Sequence, residues 1–173
     1  MKAVDVKNLV TKSMPFLTTG LLVAVASSQA FSASIGSLVL TGTVSDTVAL
    51  VVTANGTNNT TMNIVGGESA KNVASVAETS NDLAGYHIQM SSANGGELRL
   101  NGTSSTYKTT YQVSYDGASY FTPSSTLTTI KNVASLTGNT THNSAVLVDV
   151  VAYAAAPEGT YSDTLTFTIT DNE

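Results

Sequence analysis

The closing stretch GTYSDTLTFTIT, residues 159–170, alternates in side-chain character at every step. Its odd positions carry Tyr161, Asp163, Leu165, Phe167 and Ile169 and its even positions Ser162, Thr164, Thr166, Thr168 and Thr170, the period-2 pattern of a strand with one buried face. The same rule governs the other end. From Leu38 to Val52 the even positions read Leu38, Leu40, Gly42, Val44, Asp46, Val48, Leu50 and Val52, while the odd ones are largely Thr and Ser. One strand of that length would far exceed the usual 5 to 6 residues. The alternation therefore breaks at Ser45 and Asp46, giving an extended arm from Ile35 to Val44 and a first domain strand from Thr47 to Thr53.

Between these ends, Val- and Thr-rich runs are punctuated by Asn and Gly. ANGTNNTT is a turn, because Asn and Gly tolerate positive φ. A short strand is expected near Met62 to Val65, stopped by Gly66-Gly67, and the Val content of KNVASVAETSN favours a strand with Ala74, Val76 and Glu78 on one face. GYHIQM puts Tyr86, Ile88 and Met90 on one face with His87 and Gln89 on the other; SSANGG turns and ELRL is a short strand. TYKTTYQVSY sets Tyr107, Thr109, Tyr111, Val113 and Tyr115 on one face, followed by Asp116-Gly117, a two-residue hairpin signal. Ser124 to Thr137 reads as loop with a brief strand, and SAVLVDVVAYA is apolar enough for a central strand buried on both faces. APEG then turns the chain into the final strand. Seven or more short strands, with turn signals about every ten residues, define an all-β fold, an antiparallel β-sandwich of immunoglobulin-like type. KNVASV at 71 and KNVASL at 131 are only two copies, too few for a repeat architecture.

The first thirty residues belong to another class. Lys2, Lys7 and Lys12 precede the apolar run Phe16 to Ala26 and the small-residue stretch SSQAFSA, the order of a secretory signal peptide. Cleavage after Ala30 or after Ser32 is expected, which divides the chain into a leader at 1–30, an arm at 31–45 and a domain at 46–173. Without the leader, four bases (Lys71, Arg99, Lys108 and Lys131) face eleven acids, a formal charge of −7. That balance disfavours nucleic acid or an anionic membrane as partner. No cysteine is present, so stability must come from packing and strand pairing, including pairing with another chain.

Chemistry is sparse. His87 and His142 lack metal-ligand spacing and there are no thiolates, so no metal or cofactor is expected. The acids are scattered singly, and His142 with Asp149 and any of many serines is an uninformative triad without a nucleophile elbow. Asn-x-Ser/Thr sites at Asn55, Asn58, Asn59, Asn101 and Asn139 read as turn residues in a Thr-rich chain rather than glycan acceptors. The tyrosines of TYKTTYQVSY suit core packing more than a sugar-binding stripe. An enzyme is not expected.

Three segments carry a resemblance: the arm SIGSLVLTGTVSDTVALVV, the middle NDLAGYHIQMSSANGGELRL with YQVSYDG, and the closing PEGTYSDTLTFTIT. Together they resemble exported subunits of chaperone-usher pili and the related spore coat protein U-like domains, over nearly the whole mature chain. The Gly-x-Tyr-x-Asp-x-Leu lead into the last strand, Gly159 to Leu165, is the most distinctive part. The chain departs from many such domains in lacking cysteines and an aromatic residue at its extreme carboxyl end.

The resemblance implies an immunoglobulin-like fold missing its final strand. Its groove is filled first by a periplasmic chaperone, at an outer-membrane usher, and then by the arm of the next subunit, giving a homopolymer. Leu38, Leu40, Gly42 and Val44 are then the donor-strand residues, and Tyr161, Leu165, Phe167 and Ile169 the carboxyl-terminal strand of the groove. Elementary packing leads the same way: a last strand with no following partner exposes an edge and a groove, and an arm of matching alternation is the natural filler. The arm could come from another copy or from the chain itself. Gly42 serves either close backbone approach in a shallow groove or a simple kink. The expected function is a structural subunit of a bacterial surface fibre with a role in adhesion or biofilm, located at the cell surface or outside the cell. The alternative is a monomeric secreted or coat-associated domain that binds carbohydrate through its tyrosines.

Overall fold

In the computed structural model, which describes residues 35–173, no helix occurs among the described residues and nine strands do: β1 (Val48–Ala54), β2 (Glu68–Ser80), β3 (Tyr86–Ser92), β4 (Glu97–Leu100), β5 (Lys108–Tyr115), β6 (Thr128–Val133), β7 (Thr140–Val150), β8 (Tyr161–Ser162) and β9 (Leu165–Asp171). Every pairing is antiparallel. The strands form a six-stranded sheet in the order β1-β2-β7-β5-β4-β8 and a three-stranded sheet in the order β6-β3-β9. Their facing side chains make one core, so the fold is an all-β antiparallel sandwich. The leader at 1–30 and the first arm residues, 31–34, lie outside the described residues.

Alternation is converted into burial strand by strand. Tyr86, Ile88 and Met90 of β3, Tyr111, Val113 and Tyr115 of β5, and Val146, Val148 and Val150 of β7 are all buried. β7 is central, between β2 and β5, as its composition requires. Only one of its faces is fully buried, however: Ala145, Leu147 and Asp149 on the other are half-exposed, because the second sheet covers a single side. Asp116 and Gly117 adopt φ of 52° and 76°, the two positive values of a tight hairpin turn. The amide of Ala118 donates to the Tyr115 carbonyl across it (3.0 Å), and Val113 then bridges to Phe121. Gly85, at φ 84°, must be glycine, since a Cβ there would lie 1.9 Å from the Val133 carbonyl oxygen.

Three further expectations need correction. Met62 to Val65 carries no strand, with a turn beginning at Ile64; Met62 and Ile64 instead pack against the core, partly buried. The arm from Ile35 to Val44 carries no strand in the single chain. The closing segment is two strands, not one: β8 pairs with β4 in the large sheet, β9 pairs with β3 in the small sheet, and Asp163-Thr164 crosses between them.

The chain divides into two units, Met1–Thr41 and Gly42–Glu173. All nine strands belong to the second, whose boundary falls four residues ahead of the domain start expected at residue 46.

Candidate functional site

Four of the described strands stand at sheet edges, β1 and β8 in the larger sheet and β6 and β9 in the smaller, and β1 and β9 are neighbours across the two sheets. They converge at one end, where Ser80, opposite Val48 in the β1–β2 register, donates its hydroxyl to Asp171 at the end of β9 (2.9 Å). Toward Val52 and Ala54 on β1, and Leu165 and Phe167 on β9, they diverge and leave a groove of about 730 Å³. Its floor is the core itself, including Val73, Ala74, Tyr111, Val146 and Val148. Val52, which lines the groove from the β1 side, is 49% exposed, an unusual state for a β-branched residue in a strand beside the core.

Leu165, Phe167 and Ile169 point toward the core, as the alternation requires, but each is only half-buried. The missing cover is the reason. Phe167 packs at 5.8 Å centroid distance on Tyr115 and presents its other side to the groove. Tyr161, expected on the same strand, belongs to β8 in the other sheet, where it reaches the groove from the far wall and makes an edge contact with Tyr153 at 6.4 Å.

Asp163 explains the split. One oxygen of its carboxylate accepts from Ser92 Oγ (2.6 Å) and Tyr111 Oη (2.6 Å), the other from the amides of Asn94 (2.9 Å) and Thr164 (2.7 Å). Four donors on one carboxylate hold the crossing in place, and burial followed by this hydrogen bond pushes the Tyr111 phenol well above its ordinary range. Asp163 is the one charged residue lining the groove among those described, and its oxygens are already engaged. What the groove offers a ligand is therefore an apolar floor, a polar rim that includes Asn59, Thr60, Thr160 and Ser162, and unpaired backbone edges.

The residues expected to donate a strand are exposed. Leu38, Leu40 and Val44 are 84%, 85% and 87% exposed. A Cβ on Gly42 would meet nothing within 4 Å, so nothing in the single chain requires a glycine there.

The sandwich also holds a charged cluster that sequence reasoning missed. Glu78 on β2 is completely buried. It accepts hydrogen bonds from Tyr86 Oη of β3 (2.7 Å), Tyr115 Oη of β5, Ser144 Oγ of β7 (2.5 Å) and Lys131 Nζ of β6 (2.9 Å). Lys131 also contacts Asp116 at 2.8 Å, and His142 Nε2 lies 3.0 Å from both Asp116 carboxylate oxygens. Burial alone would raise the Glu78 pKa, but the bonds from Ser144, Tyr115, Lys131 and Tyr86 outweigh it and hold the carboxyl below its ordinary value. Asp116 is depressed in the same way: burial opposes, while Lys131 and His142 prevail. The five strands that meet at Glu78 come from both sheets, so the cluster ties the sandwich across its middle. The signal for it was Glu78 in phase with Ala74 and Val76 on an apolar face.

Both histidines have hydrogen-bonding partners: His142 has Asp116, and His87 Nδ1 lies 3.1 Å from Asn172 Oδ1. Among the described residues no group of three or more His, Cys, Asp or Glu is placed to hold a metal ion. The tyrosine stripe is core rather than platform, with Tyr111 and Tyr115 buried and Tyr107 alone exposed. Asn55 and Asn58 use their side chains on the Asn72 carbonyl, as turn residues do. No helix among the described residues is long and apolar enough to cross a membrane. No protein-family model matches the chain, and a search of curated proteins finds no match.

Proposed function

We propose that the protein is a structural, non-enzymatic subunit of a bacterial surface fibre, in which the groove between β1 and β9 of one copy receives residues 35–44 of the next. The observation that carries the reading is a core left open along two unpaired edges. An added strand there gains backbone hydrogen bonds from the edges and burial from the floor, which is the chemistry of β-strand addition. Leu38, Leu40 and Val44 recur at the spacing such a floor accepts and are solvent-exposed in the single chain. Burying them moves apolar surface out of water, at about 25 cal/mol per Å².

Edges and apolar floors of this kind aggregate when left bare. Before assembly the groove would need a temporary cover, which a periplasmic chaperone delivering subunits to an outer-membrane usher supplies. Export through the leader at 1–30 and a place on the cell surface, with a role in adhesion or biofilm, complete the reading.

Electron microscopy of the purified exported chain tests it. Fibres are expected from the wild type, and none from Leu40→Asp, which would bury an unpaired carboxylate in the neighbour's groove at a cost of several kcal/mol. Polymers of Leu40→Asp indistinguishable from wild type would sink the mechanism.

A further inference from the structure

Asn81, directly after β2, holds the root of the arm by three hydrogen bonds. Its side-chain amide donates to the Ser45 carbonyl (2.9 Å), its side-chain oxygen accepts from the Thr47 amide (2.8 Å), and its own amide donates to the Thr47 carbonyl (3.1 Å). Ser45 and Thr47 are thereby fixed to the sandwich ahead of the first residue of β1. Val44, the last apolar residue of the arm's alternation, stands immediately before this clasp and is exposed.

We infer that Asn81 is a positioning residue that sets the angle between consecutive subunits and makes the fibre stiff. This rests on the fibre reading above and adds to it. If Val44 is engaged in one subunit while the Ser45 carbonyl is held by the next, a single peptide unit separates two folded bodies. An extended residue spans only about 3.3 Å, so the joint has almost no slack. Without the side-chain clasp, the free segment lengthens to Ser45 and Asp46, roughly 7 Å of flexible chain. The backbone bond from Asn81 to Thr47 survives substitution by alanine, so the sandwich keeps its shape while the joint loosens.

The test compares fibres of the wild type with those of Asn81→Ala, and with a second variant carrying Gly-Ser inserted between Val44 and Ser45, which adds slack and leaves Asn81 untouched. Persistence length is measured from electron micrographs, and circular dichroism confirms the fold. Both variants should still polymerise, with persistence lengths shortened about threefold or more, as expected when a tight joint becomes a flexible linker. Fibres of Asn81→Ala as stiff as wild type would overturn the role of the clasp while leaving strand donation standing. If instead the insertion variant alone is flexible, slack matters but Asn81 does not supply its control, and the inference also fails. Absence of fibres from the wild type overturns the fibre reading and the inference together.

Discussion

Replacing Glu78 by glutamine preserves the shape of the side chain but leaves the Lys131 ammonium facing a neutral amide inside the sandwich. Breaking a buried ion pair from one side costs about 3 kcal/mol or more, whereas removing both charges is often close to neutral. Urea unfolding should therefore show a large loss for Glu78→Gln and a smaller one for Glu78→Gln combined with Lys131→Met. Equal losses would mean that the pair's charge is irrelevant to stability. The same cluster sets the pH profile. Glu78 and Asp116 have folded-state pKa values below their ordinary ones, so their contribution is present above the ordinary carboxylate range, near 4, and is lost as the pH falls through the folded values. At the other extreme, burial and the bonds to Glu78 raise the phenols of Tyr86 and Tyr115. Their contribution is full below the ordinary phenol value of about 10 and is lost as the pH rises from there toward the folded values. Thermal melts across pH should decline in both windows. A profile unchanged down to pH 3 would contradict the assignment. None of these partners was legible in the sequence. Period-2 alternation put Glu78 on the buried face with Val76, but its donors come from four other strands, up to 66 positions away, and no local pattern encodes that meeting.

At the scale of the element, strands were readable wherever one face is covered. β3 follows its alternation throughout, β7 does so from Ser144 to Val150, and β5 does so from Lys108 to Val113 before the buried Ser114 breaks the pattern. The misreadings fall where a side chain overrides the pattern. Residues 159–170 keep perfect alternation across Asp163, yet its carboxylate gathers Ser92, Tyr111, Asn94 and Thr164 and sends the chain from one sheet to the other. Asp163→Ala should leave the buried Ser92 hydroxyl and the Tyr111 phenol short of an acceptor, at about 2 to 3 kcal/mol in chemical unfolding for hydrogen bonds to a charged group. A loss below half a kcal/mol would show that the crossing is set elsewhere. Phe167→Ala is expected to cost less than the 3 to 5 kcal/mol of a fully buried phenylalanine, because the groove already exposes one side of the ring. Thr166→Ala, on the exposed face, should cost little. In a chain whose groove is filled, the Phe167→Ala penalty should grow, and a penalty that stays the same would place Phe167 outside the contact.

For the whole molecule, the sequence showed an arm and a strand with matching alternation, and the fold puts an open core between β1 and β9. What the alternation could not reveal is the shape of that opening. It is closed at the Ser80–Asp171 end and open where Leu165 and Phe167 line it, which depends on how two sheets twist against one another rather than on any residue pattern. The most direct test uses amide hydrogen exchange on full-length Leu40→Asp protein, with its own arm disabled and its groove intact, with and without a synthetic peptide of residues 34–45. The outward-facing amides of β1 and β9 should exchange freely alone and become protected on binding. The melting temperature should rise, in line with about 2.7 kcal/mol of stabilisation when the peptide is at a hundredfold excess over its Kd. Protection that appears elsewhere on the molecule, or no protection and no thermal shift at saturating peptide, would contradict the account.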